Sequence, residues 1–204
     1  MSTKIVTPAT FEPVSLSDIT TYLRIDTNDD DAYLNMSLTI CRRELEQHLR
    51  LALCQQIFES VLQFDLPPYT DLSGWLDYTS GKIELPFPPV QVINQASIET
   101  QPGTWTVMDS STYYIDTTTM PGAIWIQATA FSTLSLPVWS VWSEPFFPRI
   151  KVNYTAGYSA PGLIPQEYKD MLLELVAFKY DNREGSRFPQ GIEEKIKTYR
   201  NYLL

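Results

Sequence analysis

Few residues in this chain could do chemistry. A single histidine, His48, falls near the end of a helical stretch, and one imidazole cannot build a His-rich metal site or a base with partners. In a last helical turn, packing and the negative end of the dipole are the commoner reasons for a histidine. Asp26-Thr27-Asn28-Asp29-Asp30 opens like an EF-hand loop, with oxygen side chains at its first, third and fifth positions. Asp31 then stands where that loop needs Gly, and Ser37 where it needs a bidentate Glu, so capping of the next helix explains these acids better. Carboxylate pairs such as Asp71 with Asp77 or Asp109 with Asp116, beside Trp75, Trp105 and Trp125, are of the kind that cleave glycosides. Nine acids scattered over residues 51–148 yield such pairs by chance, and solvated loop carboxylates are the simpler account. The chain has no P-loop, no Gly-x-Gly-x-x-Gly, no Gly-x-Ser-x-Gly and no Cys-x-x-Cys. The expectation is a protein without catalytic residues, metal or cofactor.

The elements that would position any site fall into three blocks. Ser15 and Asp18 have capping-box spacing, and Leu16, Ile19 and Leu23 share one face of a short helix. A second helix is predicted from about Asp31 to Leu51, with Leu34, Leu38, Cys41, Leu45, Leu49 and Ala52 in one apolar stripe and Arg42, Arg43, Glu46 and Arg50 on the other side. After Cys54 the period turns to strands: Gln56 to Phe64, Lys82 to Leu85, Val90 to Ile93, Ala96 to Thr100, Tyr113 to Asp116, Ala123 to Ile126 and Ile150 to Tyr154. Pro86, Pro88 and Pro89 mark an edge or bend, while Pro67-Pro68-Tyr69 and Phe131 to Pro148 read as surface loops. Helix returns at Pro165, carrying Tyr168, Leu172, Leu175, Val176 and Lys179 on one face to about Arg183-Glu184-Gly185. A last amphipathic segment runs from Gly191 to Leu204 through Ile192, Ile196, Tyr199 and Leu203.

The 204 residues, 44% of them apolar, suffice for a full core. No charged-then-apolar leader and no apolar run of about 20 residues appears, which predicts a soluble protein made in the cytoplasm. Cys41 and Cys54 are expected as reduced, buried thiols, and without a secretory signal the acceptor patterns at Asn35 and Asn153 carry no weight. The net charge of −9 is unevenly spread: residues 1–50 carry −3, residues 51–148 carry −8 with Lys82 as their one basic side chain, and residues 149–204 carry +2. All five tryptophans lie in the acidic middle, a block that should not grip phosphates. Sugar stacking is one use for them; filling a core and anchoring a subunit interface are commoner, and Trp75, Trp105, Trp139 and Trp142 are the interface candidates.

Pro13-Val14-Ser15-Leu16 with a short helix, Leu23-Arg24-Ile25-Asp26 with an acidic turn, and a long helix, in that order, resemble the opening of phage head-to-tail connector proteins. Ile83-Glu84-Leu85-Pro86-Phe87-Pro88-Pro89-Val90 looks like the strand, proline and strand element of the longer members. Val152-Asn153-Tyr154-Thr155-Ala156-Gly157-Tyr158, Ile164-Pro165 and a helix ending Tyr180-Asp181-Asn182-Arg183-Glu184 match their closing pattern. The resemblance implies an α+β fold: a helical bundle made by N- and C-terminal helices, with a central β-rich insertion. It divides the chain into residues 1–54, the first helical part, residues 55–160, the insertion, and residues 161–204, the part that completes the core. It further implies a non-enzymatic virion protein of the neck, in the host cytoplasm during assembly. Such subunits form a ring of about twelve copies beneath the portal protein and lengthen the DNA channel. They also offer a platform to the next neck or tail-completion protein, and DNA passes without specific binding.

From the residues themselves, a ring needs two different faces that fit each other, which helices of both signs and an aromatic insertion could supply. Acidic residues along a channel would repel phosphates and leave DNA free to slide. Tyr199, Arg200, Tyr202, Leu203 and Leu204 suit a portal-docking segment, and a final helix packed on its own body is the equally weighted alternative. Two rivals stand beside the connector: a carbohydrate-binding or glycan-cleaving tail module, suggested by the acidic, tryptophan-rich middle, and a tail-completion or tail-tube subunit, which is usually β-rich from end to end.

Overall fold

The computed structural model describes residues 2–63, 81–118, 120–126, 149–182 and 188–200. Among these residues four α-helices, eight strands and two short 3-10 turns make up the mixed α+β class, with one strand before the first helix and seven between the second and third helices. The helices are α1 (Leu16–Leu23), α2 (Asp31–Leu49), α3 (Gln166–Asp181) and α4 (Gln190–Tyr199). The strands are β1 (Ser2–Thr7), β2 (Gln56–Gln63), β3 (Gly81–Glu84), β4 (Val90–Gln101), β5 (Thr104–Val107), β6 (Tyr113–Asp116), β7 (Ala123–Ile126) and β8 (Arg149–Ala156).

α1 forms where local chemistry asks for it. The Ser15 side chain accepts from Asp18 N at 3.1 Å, and the Asp18 carboxylate accepts from Ser15 N at 2.8 Å, closing the predicted capping box. Hydrogen bonds from the Ser15 side chain and backbone hold the Asp18 carboxyl below its ordinary range. α1 and α2 both end in left-handed cap residues, Arg24 and Arg50. The α2 stripe packs as expected against α3, with Leu34, Leu38, Cys41, Leu45 and Leu49 facing Met171, Leu172, Leu175 and Val176; Ile192 and Ile196 of α4 join the same cluster. Each such burial of a Leu or Ile contributes roughly 1.5–3 kcal/mol relative to exposure.

Strands β1, β2, β8, β4 and β5 form one antiparallel sheet in that order, and β3, β7 and β6 form a second. Alternation decides which side of the central strand β8 is buried: Ile150, Val152, Tyr154 and Ala156 turn inward, Lys151, Asn153 and Thr155 outward. Ile83, Ile124 and Ile126 of the small sheet share a core with Ile98, Ile150 and Val152 of the large one. The described residues therefore form two cores, one between helices and one between sheets.

The structure corrects the sequence reading at several points. β5 was not foreseen; it forms as the second strand of a hairpin with β4. Ala52, expected in the α2 stripe, lies beyond the helix and faces the sheets. β1 was not foreseen, since it gains its conformation by pairing with β2 more than fifty residues away. Val90–Gln101 is one strand where two were expected, because bulges beside Val92 and Gln95 absorb the break in pattern. Arg42 and Glu46 do not lie on a solvent side: both are buried, at 3% and 4% exposure. Asp30 is the N-cap of α2 by position, yet makes no side-chain cap bond; its carboxylate accepts from Tyr180 Oη at 2.6 Å, tying α2 to α3. The loops expected at 67–69 and 131–148 lie outside the described residues, as do the end of the third predicted helix at 183–185 and the last four residues of the fourth.

Candidate functional site

The most elaborate polar arrangement among the described residues joins the helical cluster to the strands. Arg42 and Glu46, one turn apart on α2, meet at 2.9 Å, and Arg42 Nε also donates to Glu12 at 2.7 Å. The second Glu46 oxygen accepts from Leu53 N at 2.9 Å, Cys54 N at 3.4 Å and Gln56 Nε2 at 2.9 Å. Burial pushes the Glu46 carboxyl up, against the pull of Arg42 and of these donors. Burial also opposes charge on Arg42, but Glu12 and Glu46 outweigh it and raise its affinity for the proton.

Residues 51–54 are thus pinned as they pass from α2 to β2, and they serve both cores: Leu51, Leu53 and Cys54 face the helices while Ala52 faces the sheets. The return path from β8 crosses beside them. Gly157 approaches so closely that a Cβ would sit 2.1 Å from the Cys54 carbonyl oxygen, and Cys54 bridges Tyr158. The proline bend closes the junction, with Pro88 O accepting from Ala52 N and Pro89 O from Gly157 N, both at 2.9 Å. Tyr154 Oη donates to Pro86 O at 2.6 Å. This is a structural joint; its charges are satisfied by one another and offer no reacting group.

Of the candidate chemistry-bearing residues, Asp71 and Asp77 lie outside the described residues, while His48, Asp109 and Asp116 take structural parts. His48 stacks edge-on against Phe188 at 4.5 Å. Asp109 caps a 3-10 turn through Ser111, and Asp116 accepts from Thr118, so both carboxylates shape turns. Cys41 and Cys54 are free and buried, and burial pushes both thiols up to about 12. Among the described residues no cluster of His, Cys, Asp or Glu could hold a metal ion, and no helix is long and apolar enough to cross a membrane.

Of the four tryptophans expected at an interface, Trp105 is described and Trp75, Trp139 and Trp142 lie outside the described residues. Trp105 sits half-buried on β5 opposite Glu99, with Lys151 Nζ 4.2 Å and the Arg149 guanidinium 5.7 Å from its ring centre. Arg149 grips Glu99 with two bonds of 2.7 Å, and Gly103 N donates to the same carboxylate. The Arg149 bonds hold the Glu99 carboxyl below the ordinary range.

Of the residues expected to dock, Tyr199 and Arg200 are described, while Tyr202, Leu203 and Leu204 lie outside the described residues. Tyr199 is 42% exposed and meets Tyr168 edge-on at 6.0 Å; α4 is further tied to α3 by Lys195 and Glu174. An open cleft of about 780 Å³ lies nearby, between the start of α1 and the start of α3, lined by Pro13, Val14, Tyr22, Pro161, Lys169 and Leu173. The cluster of half-buried Glu12 with buried Arg42 and Glu46 is what sequence reasoning missed. Two charges four apart beside the apolar stripe were its one local signal, and Gln56 and the Leu53 amide cannot be paired with Glu46 by periodicity.

Comparison with known proteins gives this architecture a place. No curated protein matches the sequence. Among solved structures, a chain from the neck of an empty gene transfer agent particle, computed with C6 symmetry, aligns over 100% of this chain and 97% of its own at 19% identity, with a TM-score of 0.68. A chain from the native particle's neck, computed with C12 symmetry, aligns over the same shares at 17% identity and a TM-score of 0.66. A third, from the virion of the native gene transfer agent particle, does so at 18% identity and a TM-score of 0.66. These likenesses are of fold. The profile of phage gp6-like head-tail connector proteins matches residues 13–128, more than half of the sequence, and the chain belongs to that family.

Proposed function

We propose that this connector subunit forms a ring of about twelve copies in the virion neck, beneath the portal protein, where it lengthens the DNA channel and offers a platform to the next neck or tail-completion protein. The observation that carries the reading is the family match, joined to a fold shared over the whole chain with subunits of necks computed with C6 and C12 symmetry. The role is structural, without a catalytic step, and the DNA slides past without specific binding. In the division proposed here, residues 1–54 and 161–204 make the ring body and residues 55–160 reach toward a neighbour. The subunit assembles in the host cytoplasm and ends in the virion.

Portal docking falls to the last residue of α4, Tyr199, and the residues after it, Arg200, Tyr202, Leu203 and Leu204, where aromatic, cationic and aliphatic side chains close a short helix with two buried residues. Trp75, Trp105, Trp139 and Trp142 serve the subunit interface. The glycan-module reading draws less support, because Trp105 already carries Lys151 over its ring and Asp109 and Asp116 are spent on turns. Co-sedimentation with the portal of the same phage tests docking. Wild type should pellet with the portal, and Tyr199→Ala/Arg200→Ala should lose most of that binding while remaining folded. Equal binding by both would remove the segment from the interface, and no binding by wild type would contradict the connector role.

A further inference from the structure

β1 is held by the sheet without entering either core. None of its six residues is buried, and Ile5 and Val6 stand 44% and 49% exposed on an edge strand. Its contacts run to β2: a ladder from Ser2 opposite Val61 to Thr7 opposite Ile57, Thr3 Oγ1 at 2.8 Å from Ser60 Oγ, and Lys4 Nζ at 2.8 Å from Glu59. Strand pairing without core burial is marginally stable, so β1 can leave β2 at little cost to the rest of the fold. Pro8 follows the strand directly, and Ala9 and Phe11 anchor the chain on the helical cluster, which makes Thr7 and Pro8 a hinge between a fixed body and a weakly held strand.

We propose that in the assembled neck β1 of each copy pairs with β2 of the adjacent copy. The inference rests on the ring reading above. The occupant is a second copy because only a second copy presents the same edge, with Ser60 for Thr3 and Glu59 for Lys4, in the same register. Exchange keeps every contact of the closed subunit, so it costs no pairing energy, and neighbours in a ring meet at high effective concentration. The contact is also of the kind a ring requires: each copy gives a strand on one side and receives one on the other, which is heterologous and closes.

Cross-linking in trans tests this. Thr3→Cys and Ser60→Cys subunits are purified separately, mixed, assembled on the portal and oxidised mildly; directly opposed residues of paired strands lie within disulfide reach. Cys41 and Cys54 are buried and do not compete. The expected result is a covalent dimer in mixed rings, absent from rings of either variant alone, and a ladder of covalent oligomers from rings of the Thr3→Cys/Ser60→Cys chain. Mixed rings of full copy number without the dimer, with the double variant bonded within single chains, would overturn exchange and leave the ring reading intact. Failure of wild type to form any ring would overturn both.

Discussion

Arg42 Nη1 lies 2.9 Å from Glu46 Oε2 with both side chains at most 5% exposed, and the opposite oxygen of that carboxylate holds the backbone that leads into the sheet. A buried ion pair earns little net stability over a well-packed apolar pair, but breaking one strands a charge. Glu46→Ala should therefore destabilise the fold by about 3–5 kcal/mol in urea unfolding, and Glu46→Gln, which keeps an acceptor for the Leu53 amide, by less. A loss under about 1 kcal/mol for Glu46→Ala would mean the joint is not held this way.

Gly157 supplies a second test of the joint. Its φ of +99° and the 2.1 Å approach to the Cys54 carbonyl both forbid a side chain. Gly157→Ala should cost at least about 2 kcal/mol, whereas Gly103→Ala, at φ +81° with open space around it, should cost about 1–2 kcal/mol. Equal and small losses at both positions would contradict the close crossing of the two connections.

The thiols offer a probe that needs no substitution. With both pushed up to about 12 by burial, Cys41 and Cys54 should resist alkylation by iodoacetamide near neutral pH in the folded protein. Both should react readily in urea. Fast labelling of the native chain would place at least one of them in a site that opens locally.

Glu99 sets part of the acid response. Its carboxyl is held below the ordinary range, first by Arg149, so the unfolded chain takes up that proton at a higher pH than the folded one. The stability it supplies is complete above the ordinary carboxylate pKa of about 4.3 and is lost as pH falls through the lowered value. Arg149→Gln should lower stability at neutral pH and flatten this part of the acid limb, read as Tm against pH. An unchanged acid limb would remove the pair from the account.

Local rules made much of this fold legible in advance. The Ser15 and Asp18 capping box, the Leu34 to Leu49 stripe and the strands at Tyr113–Asp116 and Ala123–Ile126 are written in residues within a few positions of each other. Most of what escaped depends on distant partners, although β5 escaped while pairing with β4 across a turn of two residues. β1 has no pattern of its own without β2, Asp30 turned from capping because Tyr180 lies 150 residues on, and Arg42 and Glu46 are buried because Glu12 and Gln56 meet them there. Of the proposed contact residues, Trp105 was legible as aromatic surface, while its cover of Lys151 and Arg149 follows from strand register.

The central claim is that this chain builds a ring on the portal. Native mass spectrometry of the purified protein, alone and mixed with the portal of the same phage, tests it most directly. The account predicts a portal complex carrying about twelve copies of the chain, whatever the state of the free protein. A subunit that stays monomeric and leaves the portal mass unchanged would contradict it.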